Sequence, residues 1–233
     1  MKKSIKTLGI ITVSVLMAFS VLSCEDNPSY TGITHYGNNA LSINGQQVYT
    51  RNYSATKLSE MYDKFSGDYA ISVLVEGGKE VSTGTIRNGI LDFTVAELHE
   101  SEELDWDDLK IFFKIVEEGE GWENVTIDKS GIKGSLIELK TKTGDKALMR
   151  EGMSGTDTSL SAEWVFFIYV NADCKITGDY WVDEVVDYTF NAFELNLYAG
   201  WNTICFTQIF TTFGRSAFYM AVKNPDLKWV LVP

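Results

Sequence analysis

Apolar and polar residues alternate along most of the chain in short runs, and turn-forming residues separate these runs. Residues 109–116 (LKIFFKIV) place Lys110 and Lys114 opposite a set of apolar side chains, which predicts a strand with one buried face. Residues 164–170 are apolar at every position, as expected for a central strand that is covered on both faces. Short strands at this spacing, without βαβ alternation, predict an all-β fold, which is an antiparallel sandwich or barrel, with the sandwich favoured.

Two Asn-Gly dipeptides and one helical stretch interrupt this pattern. Asn44-Gly45 and Asn88-Gly89 each lie between two β-rich runs, and Asn-Gly supplies the positive φ angles of a type I′ turn. Both dipeptides therefore predict hairpins. Residues 56–65 (TKLSEMYDKF) carry apolar side chains at helical spacing, so the all-β fold is expected to include one or two short helices.

The β-rich part of the chain is expected to form an N-terminal unit, residues 40–145, and a C-terminal unit, residues 146–233. A loose internal similarity between residues 73–93 and 168–197 favours two stacked units of about the usual domain size. One continuous domain is the alternative.

The first 23 residues are typical of a targeting segment. Three lysines precede an uncharged apolar run, residues 8–22, which is short for a bilayer span of about 20 residues. The run ends at Ser23-Cys24, where the chain turns polar and acidic. Residues 24–39 are polar and turn-rich, which predicts a flexible tether.

Val21-Leu22-Ser23-Cys24 resembles the cleavage site of bacterial lipoprotein precursors, in which signal peptidase II cuts before a lipid-modified cysteine. The resemblance implies that fatty-acyl chains such as palmitate on Cys24 anchor the mature protein, and two or more chains make such anchoring stable. Glu25 and Asp26 resemble the signal that sends Bacteroidetes lipoproteins to the outer face of the outer membrane. The alternatives are a transmembrane anchor or a cleaved protein with a free cysteine.

Three further segments resemble uncharacterised lipoproteins of host-associated spirochaetes and Bacteroidetes. They are residues 122–128 (WENVTID), 169–178 (YVNADCKITG) and 197–202 (LYAGWN). These motifs are turns and carry no chemistry, so the resemblance supports a lipoprotein and implies no activity.

Charge excludes two classes of partner. Removal of residues 1–23 takes away three of the 20 Lys+Arg and none of the 32 Asp+Glu, so the mature chain has a formal charge of −15. Nucleic-acid binding needs a basic footprint, and so does electrostatic docking on an anionic membrane. With 45% hydrophobic residues the chain can still bury a sizeable core.

No catalytic set is identified, because His35 and His99 are the only histidines. Within the acidic residues 97–108, Asp105, Asp107 and Asp108 form a D-x-D-D run that suits the oxygen ligands of calcium. An EF-hand loop also requires a Gly and a Glu further along the loop, and both are missing at the required positions of this sequence. A solvated acidic loop is therefore favoured over a calcium site, and no cofactor is expected.

Cys174 and Cys205 lie in two predicted strands, and outside the cytoplasm a disulfide between them would stabilise the fold by roughly 3 to 4 kcal/mol. Two buried free thiols are the alternative.

Tyr180-Trp181 follows Gly178 in a predicted turn. Exposed there, the aromatic pair would contact a sugar or a protein partner; otherwise it folds back over the core.

These features predict a lipid-anchored, surface-exposed module that binds a glycan, a host protein or an envelope protein without catalysis. One alternative is a carboxylate-based hydrolase of glycans, since 32 acidic residues can include a general acid and base. A structural envelope subunit is the other. A cleft with two facing carboxylates would favour the hydrolase, and a flat or aromatic-lined surface would favour the binding module.

Overall fold

The computed structural model describes residues 39–75, 77–99, 103–106, 123–156, 159–183, 187–211, 216–223 and 225–233. The predicted signal segment, the lipidation site Cys24 and most of the tether lie outside these residues. Asp107, Asp108 and the strand expected at residues 109–116 also lie outside them.

Most of the described residues lie in strands, which confirms the all-β prediction. A single 3-10 turn spans Leu58–Glu60. The strands are β1 (Leu41–Arg51), β2 (Tyr62–Lys64), β3 (Tyr69–Val75), β4 (Glu80–Arg87), β5 (Ile90–Val95), β6 (Leu104–Asp105), β7 (Glu123–Ile127), β8 (Lys133–Thr141), β9 (Ala147–Thr156), β10 (Ser159–Val170), β11 (Cys174–Asp179), β12 (Trp181–Asp183), β13 (Tyr188–Phe190), β14 (Phe193–Leu197), β15 (Gly200–Thr211), β16 (Ser216–Val222) and β17 (Lys228–Val232).

Eight strands close into a barrel-like ring, in the order β10-β9-β17-β1-β5-β4-β3-β8 and back to β10. β8 completes the closure because Leu136 pairs with Ile168 of β10 and Leu139 pairs with Leu148 of β9. This closed ring differs from the favoured antiparallel sandwich and is closer to the barrel that the strand spacing leaves open. Closure gives every strand of the ring two partners and removes free sheet edges there.

The inside of the ring is a packed core of large aromatic and aliphatic side chains. Trp201 is fully buried and Trp229 is 2% exposed. The ring of Phe167 stacks on Trp229 at 5.9 Å between centroids, and Tyr169 meets Trp201 edge-on at 5.4 Å. Such aromatic pairs add to the stabilisation from burial alone.

A second core lies between the small three-stranded sheet β14-β11-β7 and the strands β10, β15 and β16. β10 serves both cores, because Phe167 and Tyr169 point into the ring while Ile168 and Val170 point into the second core. This arrangement confirms the prediction that residues 164–170 form a strand covered on both faces.

The two cores are layered in space and share strands. The boundary expected at residue 145 lies in the turn between β8 and β9, and these strands pair with each other across it. β17 lies between β1 and β9, so the last strand completes a wall that the first one begins.

The two Asn-Gly dipeptides have different structures. Asn88-Gly89 forms the predicted tight turn between β4 and β5, with φ angles of 49° and 76°. The hairpin predicted at Asn44-Gly45 is wrong, since β1 runs straight through it with a β-bulge opposite β5. Gly45 keeps a positive φ of 67°, and its N–H donates to Asp92 Oδ1 at 2.8 Å.

The helix predicted at residues 56–65 is also wrong. After the 3-10 turn the chain extends into β2, which pairs antiparallel with the end of β1 beyond the reach of β5. Asn52 N–H donates to Met61 O, and Phe65 N–H donates to Val48 O. These pairings satisfy backbone groups of β1, and this tertiary pairing outweighs a weak helical preference.

The disulfide expected between Cys174 and Cys205 is absent, and both thiols are free and buried. Cys174 belongs to the second core and Cys205 to the ring core, so the two side chains point into different layers. Burial raises the pKa of each thiol to about 11.

Candidate functional site

The outer face of the small sheet faces away from the second core and is polar. β14 alternates between buried side chains that pack into the second core and exposed ones on the other parity. The exposed positions are Glu194 and Asn196, and Tyr198 follows directly after the strand on the same parity. We call the outward-facing residues of β7, β11 and β14, together with Tyr198, the polar face.

Side-chain contacts join neighbouring strands across the polar face. They are Lys175 Nζ to Glu194 Oε2 at 3.3 Å, Thr126 Oγ1 to Thr177 Oγ1 at 3.0 Å, and Asn124 Nδ2 to Asp179 Oδ2 at 2.9 Å. The strands underneath are held in register by backbone pairing. The polar groups are therefore presented on a rigid sheet.

Tyr198 lies at one end of this face on a fixed turn. Its N–H donates to Asn202 Oδ1 at 3.0 Å, and Asn202 Nδ2 donates back to Tyr198 O at 2.7 Å and to Gly200 O at 2.9 Å. Asn202 is fully buried, and the next N–H, that of Ala199, donates to Asp173 Oδ1 at 2.8 Å. The side chain of Tyr198 nevertheless remains 52% exposed. The fold thus fixes the backbone of Tyr198 and leaves its ring in solvent.

A shallow depression of about 430 Å³ lies beside this tyrosine, lined by Glu194, Asn196 and Tyr198 with Ala221 and Val222 of β16. Glu194 is its one carboxylate. The second described depression, of about 380 Å³, lies at the β3–β4 edge and also contains a single carboxylate, Asp68. Neither depression brings together the two carboxylates that a glycosidase requires.

The predicted aromatic pair lies at the other end of the small sheet. Tyr180 follows β11 and is 59% exposed, whereas Trp181 begins β12 in the large sheet. Cys174 pairs with Leu197 and Gly178 with Phe193, so Tyr180 and Tyr198 lie at opposite ends of the polar face. The six residues of β11 span roughly 20 Å between them.

The structure describes only part of the acidic residues 97–108. Asp105 lies in β6 and pairs with Lys133 of β8, whereas Asp107 and Asp108 are outside the described residues. Across the described ranges, no three His, Cys, Asp or Glu side chains are grouped so that they could hold a metal ion. In the same ranges, no helix has the length and apolar character needed to cross a bilayer.

The ring wall contains a buried ion pair that the sequence does not reveal. Arg51 Nε donates to Glu151 Oε1 at 2.6 Å, and a second guanidinium N–H donates to the other carboxylate oxygen. The side chains are 11% and 3% exposed. Burial lowers the pKa of Arg51, but the hydrogen bond and charge of Glu151 outweigh burial, so the pKa is raised. The pair connects β1 to β9 and has a structural role.

Cys205 lies beside a carboxylate and an ammonium. Glu163 Oε1 accepts hydrogen bonds from Lys223 Nζ at 2.7 Å and from Thr207 Oγ1 at 3.3 Å, and Cys205 Sγ lies 3.8 Å away. Because burial raises the pKa of Cys205 to about 11, the thiol stays protonated at neutral pH. A protonated, fully buried thiol is a poor nucleophile, so this cluster does not resemble a catalytic cysteine site.

The sequence does not single out Tyr198, because residues 197–202 have the pattern of a turn. The available signal was the alternation of Phe193, Leu195 and Leu197 with polar residues, which places Tyr198 on the solvent side.

Comparison with known proteins gives no further assignment. No protein-family model matches the chain, and no curated protein or solved structure is significantly similar to it.

Proposed function

We propose that this protein is a lipid-anchored, surface-exposed binding protein without catalytic activity, and that it binds its ligand on the polar face. The observation that carries the proposal is the exposed ring of Tyr198 on a turn that the buried Asn202 holds from both sides. Exposed aromatic side chains on rigid backbone are effective contact residues, because little conformational freedom is lost on binding.

The proposed anchor rests on the N-terminal sequence pattern that ends at Cys24. A tether of about 15 residues would extend on the order of 20 Å as a flexible coil, which clears the lipid headgroups. The formal charge of −15 would also repel the mature domain from an anionic membrane and leave its surface accessible.

A glycan hydrolase is the enzymatic alternative that the acidic composition raises. The two described depressions, with one carboxylate each, favour binding over hydrolysis. In addition, Lys175 Nζ contacts the Glu194 carboxylate. This ion pair favours the ionised form of Glu194, whereas a general acid must carry a proton.

The binding proposal is tested by screening the full chain, purified in detergent, against glycan and protein arrays. Tyr198→Ala should lose the binding that the wild type shows. Tyr53→Ala is the matched control, because Tyr53 is also exposed, at 70%, but lies in the turn after β1, away from the polar face. Equal binding by wild type and Tyr198→Ala would move the ligand away from the polar face.

The anchor is tested by metabolic labelling with a fatty acid. Cys24→Ser should abolish the label, since acylation requires the sulfur of Cys24, while Cys174→Ala should retain it.

Protease added to intact cells then tests exposure. A domain that survives while a known surface protein is cleaved would face the periplasm, contrary to the proposal.

A further inference from the structure

We infer that the ligand of the polar face is a neutral oligosaccharide, with one sugar ring stacked on Tyr198 and its hydroxyls bonded to Asn196 and Glu194. This inference rests on the proposed binding function and names the ligand class.

The aromatic ring of Tyr198 supplies the apolar part of such a site. A pyranose ring exposes C–H groups on one face, and an aromatic ring gains most from that face when it is already exposed and fixed. The backbone on both sides of Tyr198 is held by Asn202 and Asp173, while half of the side chain is in contact with solvent. Ala221 and Val222 form a small apolar floor beside it.

The neighbouring positions supply hydrogen-bonding groups of both kinds. The amide of Asn196 can donate and accept, and its contact with Glu194 Oε1 is long at 3.4 Å, so a hydroxyl can compete for it. Glu194 and Asn196 alternate along one strand with Tyr198, which places all three on the same surface. A sugar hydroxyl both donates and accepts and therefore matches this set.

The electrostatics favour an uncharged ligand. Glu194 is paired with Lys175 at 3.3 Å, so the depression carries little net charge. The mature chain as a whole has a formal charge of −15, which disfavours the approach of uronic acids or sulfated sugars.

A protein partner fits this surface less well. The centres of protein interfaces are depleted in charged residues and enriched in aromatic and apolar ones. The polar face instead presents Thr126, Thr177 and Lys175 around a single aromatic residue. Its shallow depression suits a small amphipathic ligand lying along the sheet.

The test is calorimetric titration of the full chain in detergent with cellotetraose, xylotetraose, maltotetraose and chitotetraose. At least one should bind, and Tyr198→Ala should weaken that binding about tenfold or more. Tyr198→Phe should bind within about twofold of wild type, because it keeps the stacking ring. Asn196→Ala should weaken binding less than Tyr198→Ala, and Tyr53→Ala should leave it unchanged. Thermal unfolding of each variant confirms that it is folded.

Three results would overturn the inference: no binding of any tetrasaccharide at millimolar concentration, equal binding by Tyr198→Ala, or tighter binding of a tetragalacturonate than of the neutral sugars. The first result leaves the proposed function standing if a non-sugar ligand from the array screen is lost in Tyr198→Ala. If no ligand of any class responds to Tyr198→Ala, the proposed function of the polar face fails as well.

Discussion

The closed ring and the small sheet of this protein use the same alternation of residues for different purposes. In the ring, every strand has at least two partners, and inward side chains such as Phe167 and Trp229 fill the core. Among the described strands, β7 and β14 of the small sheet each have one hydrogen-bonded neighbour, and their outward side chains are polar. The ring thus uses its inward side chains for packing, whereas the outer face of the small sheet offers groups that packing does not constrain.

The ion pairs show the same difference. Arg51 and Glu151 connect ring strands and are nearly buried, whereas Lys175 and Glu194 on the polar face have side chains that are 41% and 55% exposed. A buried pair that loses one partner leaves an uncompensated charge, while an exposed pair is solvated. Substitutions in the two regions should therefore differ in stability by several kcal/mol.

The largest effect is expected from Trp201→Ala, which should lower the free energy of unfolding by about 3 to 5 kcal/mol by leaving a cavity in the ring core. Tyr198→Ala, with an exposed ring, should change it by less than about 0.5 kcal/mol. Denaturant titration of both variants measures the contrast. A loss in Tyr198→Ala as large as in Trp201→Ala would show that Tyr198 is a packing residue.

Breaking the buried pair comes next. Arg51→Met should destabilise the protein by about 3 to 5 kcal/mol, because Glu151 is left buried without its partner. The matched change on the polar face, Lys175→Met, should cost at most about 1 kcal/mol. Adding Glu151→Met to Arg51→Met should recover much of the loss. Equal effects of the two single variants would contradict the comparison.

Glycine substitutions give a smaller contrast. Gly89 and Gly131 have φ angles of 76° and 74°, so alanine is strained at both by roughly 1 kcal/mol. A Cβ on Gly89 would also overlap the carbonyl oxygen of Phe65, whereas one on Gly131 meets open space. Gly89→Ala should therefore cost about 1 to 3 kcal/mol more than Gly131→Ala in thermal or denaturant unfolding. Equal destabilisation by the two substitutions would show that Phe65, which follows β2, shifts away from the new Cβ without loss of stability.

A further contrast concerns pH and involves both cores together. Burial raises the pKa of Cys174 and Cys205 from 9.0 to about 11, so the folded protein keeps protons that the unfolded chain loses. The stability contributed by the protonated thiols is fully present below pH 9 and falls as the pH rises to 11. The variant Cys174→Ala with Cys205→Ala should lose less melting temperature over that interval than wild type. If the melting temperatures of wild type and variant fall equally between pH 9 and 11, then other groups, such as tyrosines, cause the whole loss of stability.

Local signals predicted part of this fold and tertiary pairing decided the rest. Asn88-Gly89 joins two strands of similar length and makes the hairpin that its sequence favours. Asn44-Gly45 has the same local chemistry, but the continuous partner β5 turns it into a bulge within one strand. Residues 56–65 do not form the predicted helix because they pair with the end of β1, which extends beyond β5. No local pattern reports the existence of such a partner.

The sequence did not identify the candidate site around Tyr198. Tyr180 is exposed, which is one of the two outcomes that the sequence leaves open, and its role in ligand contact stays a prediction. Tyr198 depends on Asn202, whose buried amide fixes the turn, and on β16, whose Ala221 and Val222 complete the depression. These contacts come from strands that sequence analysis separates, so only the folded chain brings them together.

The position of β17 has a consequence for how the protein is made. This late strand sits in the middle of the ring wall, where Val48 of β1 pairs in parallel with Trp229. While the ribosome is still synthesising the chain, that wall has a gap and the ring cannot close. Contacts between such distant parts of a chain also form slowly. A nascent chain that cannot close its ring early would remain unfolded for longer, which is compatible with the export that we propose.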